Sequence, residues 1–335
     1  MAAPPKKKEL ARGERVLPGV WRLRLPLPWP GVPHCNAWAV RSGDGIVLFD
    51  TGYAGPEGTR PLEYALAQVG LELADVRLVA CTHVHADHYG LAGPIADAAG
   101  CEVWLHPAWE TAREYAENPD AVLEQRLEVA RQSGVPPAAL ERYREERKGE
   151  PSGIARAVPP DRELVDGVEV ETDLGAFVVH ETPGHAPSHV VFHEPESGLL
   201  ISGDHLLGRI VLYFDYGLSP DPVAEFSHSL EVVEGLECGL CLSGHGRPFR
   251  GVREKVRATR EVLEGQLQRV REAVGSEPRS AFELLGDILG AENLTPQTAP
   301  WALQITLVYL DHLTRLGELE ESERDGKRLW RRARA

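Results

Sequence analysis

Alternating apolar and polar positions mark the first regular structure in the chain. Residues 20–25 have the sequence Val-Trp-Arg-Leu-Arg-Leu, a period of two that predicts a strand with one buried face. The Pro- and Gly-rich stretch 26–33 interrupts this pattern, and apolar runs at 37–40 and 46–49 predict two further strands. We expect these segments to open a sheet.

Short apolar runs then alternate with stretches of helical spacing. Residues 61–69 carry apolar side chains at helical intervals, with a proline in the first turn. Residues 76–81 form an apolar run, a helix is predicted from about residue 91, and residues 102–105 predict the next strand. This alternation of strand and helix is typical of a layered α/β fold.

The middle of the chain differs in character. Residues 108–150 are highly charged and helix-forming, with a break at the Ser-Gly-Val-Pro-Pro segment 133–137. We interpret this stretch as a helical insertion that could cover a site. Short predicted strands return from residue 162 onward, and the module is expected to close near residue 250.

Helices dominate the sequence after residue 250. Three are predicted, followed by a hairpin whose turn is Asp325-Gly326; the helices span residues 253–274, 281–289 and 300–316. Helices followed by a two-stranded wing suggest a small winged-helix-like module. The predicted organisation is a flexible N-terminus at 1–14, a main domain at 15–250 and a C-terminal domain at 251–335.

Composition and charge narrow the functional classes. A chain of 335 residues with 42% apolar and 26% charged residues is typical of a folded protein of two modules. The formal net charge of −15 disfavours non-specific nucleic-acid binding, because phosphate contacts need a basic surface. No run of 18 apolar residues predicts a membrane span. Five cysteines in apolar contexts, without an apolar leader, predict a cytoplasmic protein.

The strongest chemical signal is the segment Thr-His-Val-His-Ala-Asp-His at residues 82–88. Side chains two apart in an extended segment share a face, so His83 and His85 can bind one ion together. Asp87 and His88 follow where the chain turns towards a helix. Burying so many polar groups without a metal or solvent would be costly, so the cluster predicts a metal site.

Three later donors stand beside glycine at predicted strand ends. They are His185 in Thr-Pro-Gly-His, Asp204 in Ser-Gly-Asp and His245 in Ser-Gly-His-Gly. Glycine lets the backbone approach the site closely. Together with the first cluster, and in this order along the chain, these motifs resemble those of the metallo-β-lactamase-fold superfamily over about residues 16–250.

The resemblance implies a four-layer αββα fold with a site for two divalent ions. It assigns His83, His85 and His185 to the first ion, Asp87, His88 and His245 to the second, and Asp204 to a bridging position. The helical insertion and the C-terminal module are similar to the β-lactamase-like 2 subgroup. His and Asp ligands suit Zn²⁺, although Mn²⁺ or Fe²⁺ would also accept nitrogen and oxygen donors.

Two adjacent cations lower the pKa of a shared water and polarise a scissile carbonyl. The leading hypothesis is therefore hydrolysis of a small ester, thioester or lactone by a metal-bound hydroxide. Asp87 is the candidate to orient that hydroxide and carry its proton. The expected partner is a small-molecule substrate, without a membrane, and homo-oligomerisation stays open.

Two alternatives belong to other classes. A metal-dependent ribonuclease could use the basic residues 327–334 to hold single-stranded RNA, but acidic residues line the same hairpin and the net charge is negative, so nucleic acid is not favoured. Packing, dimerisation or substrate gating suits the C-terminal module better. The third hypothesis is a non-enzymatic binding protein that has kept the fold.

Several further polar residues are weighed between structural and functional roles. Asp50-Thr51-Gly52 is either an ordinary strand-end turn or the family's early Asp-Thr-Gly element, which buttresses the site. His189 and His205 are interpreted as structural. Tyr213 and Tyr216 are candidates to protonate a leaving group, but the sequence does not place their hydroxyls.

Overall fold

A computed structural model describes residues 11–29, 31–290 and 294–334. The first sheet has seven strands in the order of the chain, antiparallel from β1 to β4 and parallel from β4 to β7. Its strands are β1 (Arg12–Leu17), β2 (Val20–Trp29), β3 (Val32–Ser42), β4 (Gly45–Phe49), β5 (Val76–Ala80), β6 (Glu102–Leu105) and β7 (Arg162–Glu163). Because β1 begins at Arg12, the predicted flexible segment 1–14 was wrong for residues 12–14, which pair with β2. Residues 1–10 lie outside the described part.

A second sheet of five strands has the order β12-β11-β10-β9-β8. Its strands are β8 (Glu169–Thr172), β9 (Gly175–Glu181), β10 (Val190–Glu194), β11 (Leu199–Gly203) and β12 (Leu240–Ser243). Neighbours are antiparallel except β11 and β12, which run parallel, so both of these strands end at the same edge.

Side chains that point alternately to the two faces of a strand pack one face of the sheet against helices and the other against the second sheet. In β3, Ala37 and Ala39 face α1 (Arg60–Ala67) and α3 (Ala92–Ala99), whereas Trp38 and Val40 face the second sheet. The space between the sheets is filled by aromatic contacts, including rings of Phe49 and Phe192 whose centroids are 4.9 Å apart. On the far face of the second sheet, α7 (Pro222–Glu234) and α8 (Val252–Ala273) complete the predicted αββα order.

Three helices occupy the segment predicted as an insertion. They are α4 (Glu110–Glu117), α5 (Pro119–Gln132) and α6 (Pro137–Arg147). The end of α5 packs against the C-terminal helices, where the Phe282 N–H donates to the Ser133 carbonyl at 3.0 Å. The insertion therefore packs directly against the C-terminal part of the chain.

The C-terminal elements follow the predicted order. After α8 come α9 (Ala281–Leu289), α10 (Ala299–Arg315) and the antiparallel strands β13 (Leu319–Arg324) and β14 (Lys327–Arg332). Asp325 and Gly326 both have positive φ, as a type I′ hairpin turn requires.

These C-terminal elements share one hydrophobic core with the second sheet, and Trp330 is fully buried in it. The predicted boundary at residue 250 is therefore not a break in packing, and a separate winged-helix domain stays a prediction. Among the described residues, no helix is both long and apolar enough to cross a membrane.

Candidate metal centre

The ends of four segments bring the site together. After β5 the chain bends at Thr82 and reaches His85, whose backbone is extended (φ −63°, ψ 151°) and which precedes the short helix α2 (Ala86–Tyr89). Asp87 and His88 lie in that helix. Asp204 directly follows β11, and the parallel strand β12 ends just before the Gly-His pair at 244–245. His185 lies in the loop between β9 and β10.

Three histidines form one group of facing nitrogens. His85 Nδ1 lies 3.0 Å from His83 Nε2 and 3.1 Å from His185 Nε2. Three imidazole nitrogens converging on one point are the donor set of a zinc site with positions left open for water or substrate. The sequence prediction grouped these same three residues.

A second group of donors adjoins the first. His245 Nε2 lies 3.3 Å from an oxygen of Asp87, and His88 Nε2 lies 3.6 Å from the same oxygen. Asp204 stands between the groups, because its carboxylate is 3.2 Å from His245 Nε2, 3.4 Å from His88 Nε2 and 3.9 Å from His185 Nε2. All seven residues predicted as ligands thus meet in one cluster.

Each of four histidines has one ring nitrogen that faces into the cluster and one that faces away from it. The hydrogen bond made by the outward nitrogen determines whether the inward nitrogen can bind a metal. His85 Nε2 bonds Asp215 at 2.8 Å and His88 Nδ1 bonds Asp50 at 2.8 Å. His185 Nδ1 and His245 Nδ1 bond backbone carbonyls, of residues 213 and 34, at 3.0 and 2.9 Å. Carboxylates and carbonyls only accept, so each outward nitrogen donates, and in the neutral ring the inward nitrogen keeps its lone pair.

Two inward atoms have no hydrogen-bond partner among the described residues. They are His88 Nε2 and Asp204 Oδ1, both shielded from solvent, which lie 3.4 Å from each other at ion-pair distance but without hydrogen-bond geometry. Leaving a buried polar atom unpaired costs about 1–3 kcal/mol, and such atoms are rare in folded proteins. The donor types and their unmet bonding capacity therefore fit a bound cation.

The electrostatics of the cluster also favour a cation. Burial acts to lower the pKa of His245, but the Asp204 and Asp87 carboxylates outweigh it and raise that pKa to about 10. In the metal-free molecule the carboxylates therefore attract a proton to this ring, at a position where a metal would compete with it. Burial, together with His85, lowers the pKa of His185 to about 4, which keeps that ring neutral and able to bind metal.

Asp50-Thr51-Gly52 is more than an ordinary turn. The buried Asp50 carboxylate accepts from the Thr82 N–H at 2.7 Å, from the Thr82 hydroxyl and from His88 Nδ1. The Thr51 N–H and hydroxyl donate to the His88 carbonyl at 2.7 and 2.9 Å. This element therefore holds His88 by both its ring and its backbone.

Glycine beside the ligands permits the close approach of the strands. A Cβ on Gly244 would lie 2.3 Å from Asp204 Oδ1 and 2.7 Å from His88 Cε1. A Cβ on Gly203 would lie 2.6 Å from His189 Nε2, and this residue has a φ of +48°. Larger residues at either position would displace the side chains of the cluster.

Sequence reasoning missed Asp215, which orients His85. A lone aspartate between two aromatic residues carries no local signal, and its contact with His85 joins positions 130 residues apart. His189 Nε2 accepts from the Asp204 N–H at 3.1 Å and its Nδ1 bonds the Thr182 hydroxyl at 2.9 Å, so the ring contacts the backbone of a predicted ligand. The Tyr213 hydroxyl donates to Gln304 at 3.0 Å, and the Tyr216 hydroxyl accepts from Arg328.

Comparison with known proteins gives a consistent result. The family model described as the metallo-beta-lactamase superfamily matches residues 30–245. The chain is 26% identical over 279 residues to the probable metallo-hydrolase YqjP of Bacillus subtilis, covering 80% of this chain and 84% of that protein. It is 28% identical over 225 residues to the acyl-coenzyme A thioesterase MBLAC2 of Gallus gallus, covering 64% of this chain and 74% of that protein.

A solved structure resembles the whole chain. It is the crystal structure of a metallo-beta-lactamase family protein from Thermus thermophilus, with a TM-score of 0.81 and 26% identity. The match covers 95% of this chain and 100% of that one.

Proposed function

Because the chain belongs to the metallo-beta-lactamase superfamily, we propose that it is a metal-dependent hydrolase of a small acyl compound, with a thioester as the first candidate. The observation that carries the proposal is the convergence of seven donors, including two buried atoms without partners among the described residues.

We propose that the ligands divide between two ions, with zinc as the preferred metal. His83, His85 and His185 would hold the first, Asp87, His88 and His245 the second, and the Asp204 carboxylate would contact both. When bound, the cations would activate a water molecule and polarise the substrate carbonyl. The chain's own contribution is to fix the donors through their outward hydrogen bonds.

Asp87 is proposed to be both ligand and proton carrier. Its carboxylate lies 3.3 Å from His245 Nε2, in the group formed by Asp87, His88 and His245. Such a carboxylate can accept a hydrogen bond from the attacking water and so orient it towards the substrate carbonyl.

Thioesters come first in the proposal because of the relatives. One similar protein bears the name acyl-coenzyme A thioesterase, and another is called a thioesterase of Emericella nidulans. The ribonuclease alternative gains no support from the hairpin, where Arg328 pairs with Glu321 and Asp311, and Arg331 with Glu320. Arginines held by carboxylates are less available to phosphates.

A substrate panel tests the proposal. Zinc-loaded protein would be assayed with acyl-coenzyme A thioesters, lactones and aryl esters, beside the Asp87→Asn and Asp97→Asn variants. Asp97 lies on the surface, paired with Arg156, and serves as the control. We expect turnover that Asp87→Asn lowers by about 100-fold or more while Asp97→Asn leaves it unchanged. Inert acyl substrates together with cleavage of RNA would overturn the proposal.

A further inference from the structure

A cavity of about 430 Å³ lies between the insertion and the C-terminal helices. Its walls come from α5, α6, α9 and α10, and most of the lining is apolar. The apolar wall includes Val122, Val129, Leu140, Leu285 and Leu303. This volume lies within the range of small-molecule sites, about 300–1,000 Å³, and exceeds what packing defects leave.

The cavity adjoins the metal centre at two residues. Asp215 lines it and also bonds His85 Nε2 at 2.8 Å. Gln304 lines it and accepts a hydrogen bond from the Tyr213 hydroxyl at 3.0 Å, while the Tyr213 ring is 6.0 Å from that of His85 and 5.7 Å from that of His185. Through Asp215 and the Tyr213–Gln304 pair, the cavity thus adjoins the donors of the first ion.

Polar side chains also line the cavity, among them Gln125, Arg126, Arg142 and Glu146. Arg126 lines it, donates to the Tyr115 hydroxyl at 3.1 Å and stacks over the Tyr115 ring at 5.0 Å. Among the described residues, no carboxylate lies within ion-pair distance of this guanidinium. Its remaining N–H groups can donate to an acceptor atom of a ligand, whereas the aliphatic side chains of the walls have no donor.

We infer that this cavity is the acyl-binding pocket of the enzyme and that it selects thioesters with an apolar acyl chain of medium length. The inference rests on the proposed function, which places the thioester carbonyl at the metal centre. An acyl chain extending from that carbonyl past Asp215 and Gln304 would enter the cavity, and the insertion would then act as a specificity element. Larger or fully polar acyl groups would not fit an apolar space of this size.

The expected selectivity follows from apolar burial. Each methylene group transferred from water to an apolar wall favours binding by about fourfold. We therefore expect kcat/KM to rise steeply from acetyl- to octanoyl-coenzyme A, and to level off or fall once the chain exceeds the cavity. A reaction that used only the metal centre would show no such dependence on chain length.

Filling the cavity tests the inference. Ala139 and Ala138 are neighbours on α6, but only Ala139 lines the cavity, and Ala138 is exposed. We expect Ala139→Trp to lower the octanoyl-to-acetyl ratio of kcat/KM by at least about tenfold with little change for acetyl-coenzyme A, and Ala138→Trp to keep the wild-type ratio. Equal ratios for both variants and the wild type would overturn the inference. If Ala139→Trp loses its circular dichroism signal, Ala299→Trp fills the cavity from the α10 side and must show the same loss of selectivity.

A binding measurement separates this inference from the proposed function. Calorimetric titration of metal-free protein with octanoate should give heat with the wild type and Ala138→Trp, and not with Ala139→Trp. If no thioester is hydrolysed but this pattern is seen, the pocket stands and the proposed reaction falls. If the wild type neither binds octanoate nor prefers longer acyl chains, the pocket assignment is wrong, whatever the reaction.

Discussion

Replacing Asp50 by Asn tests how much the metal centre depends on its supporting hydrogen bonds. The Asp50 carboxylate is buried and accepts from three donors, the Thr82 N–H, the Thr82 hydroxyl and His88 Nδ1–H. An amide of the same shape accepts through one atom only. Turned one way, its NH₂ group faces the Thr82 N–H, which loses its acceptor; turned the other way, it faces His88 Nδ1, which can accept only if the ring proton moves to the inward Nε2.

The magnitude follows from that mismatch. One buried donor without a partner costs about 1–3 kcal/mol of unfolding free energy. Loss of the partner that orients a ligating histidine typically weakens metal binding by about 10–100-fold. We therefore expect Asp50→Asn to be less stable by about 1–3 kcal/mol and to bind Zn²⁺ about 10–100-fold more weakly.

Urea unfolding and competition with a calibrated zinc chelator measure the two effects. Asp44→Asn is the matched control, because Asp44 is highly exposed and its pair with Arg77, at 2.9 Å, is a surface ion pair worth about 0–1 kcal/mol. If Asp50→Asn matched the control in both stability and zinc affinity, the supporting role assigned to Asp50 would be refuted.

Two further substitutions test the close packing around the site and the continuity of the core. Gly244→Ala should lower the bound metal by at least one ion per chain in elemental analysis, because its Cβ would meet Asp204 at 2.3 Å and His88 at 2.7 Å; Gly239→Ala, whose Cβ has room, should keep the wild-type content. Unchanged metal in Gly244→Ala would contradict this packing. Trp330→Ala should cost about 3–5 kcal/mol in a single urea transition, since Trp330 belongs to the core of the second sheet, and two separate transitions would contradict a shared core.

Local pattern predicted much of the fold. The apolar runs at 37–40 and 46–49 predicted strands, and the structure has β3 and β4 at these positions. The Asp-Gly turn of the C-terminal hairpin was also predictable, because few residues adopt two successive positive φ angles. Such features depend on neighbours in sequence.

The local sequence pattern could not predict contacts between segments that are distant along the chain. The seven proposed ligands could be named because the motifs resemble a family, whereas Asp215 could not, since its bond to His85 depends on how a loop lies against the cluster. The cavity has the same origin, because α5 and α10 meet only in the folded chain. Hydrophobic periodicity predicts which face of a helix is buried, not which helix it will contact.

The most direct measurement is thiol release from octanoyl-coenzyme A, followed beside the metal content of the same preparation. The account predicts protein with bound divalent metal that releases thiol, loses this activity when a chelator removes the metal, and regains it with Zn²⁺. Full activity in the metal-free protein, or fully metal-loaded protein that releases no thiol, would contradict it.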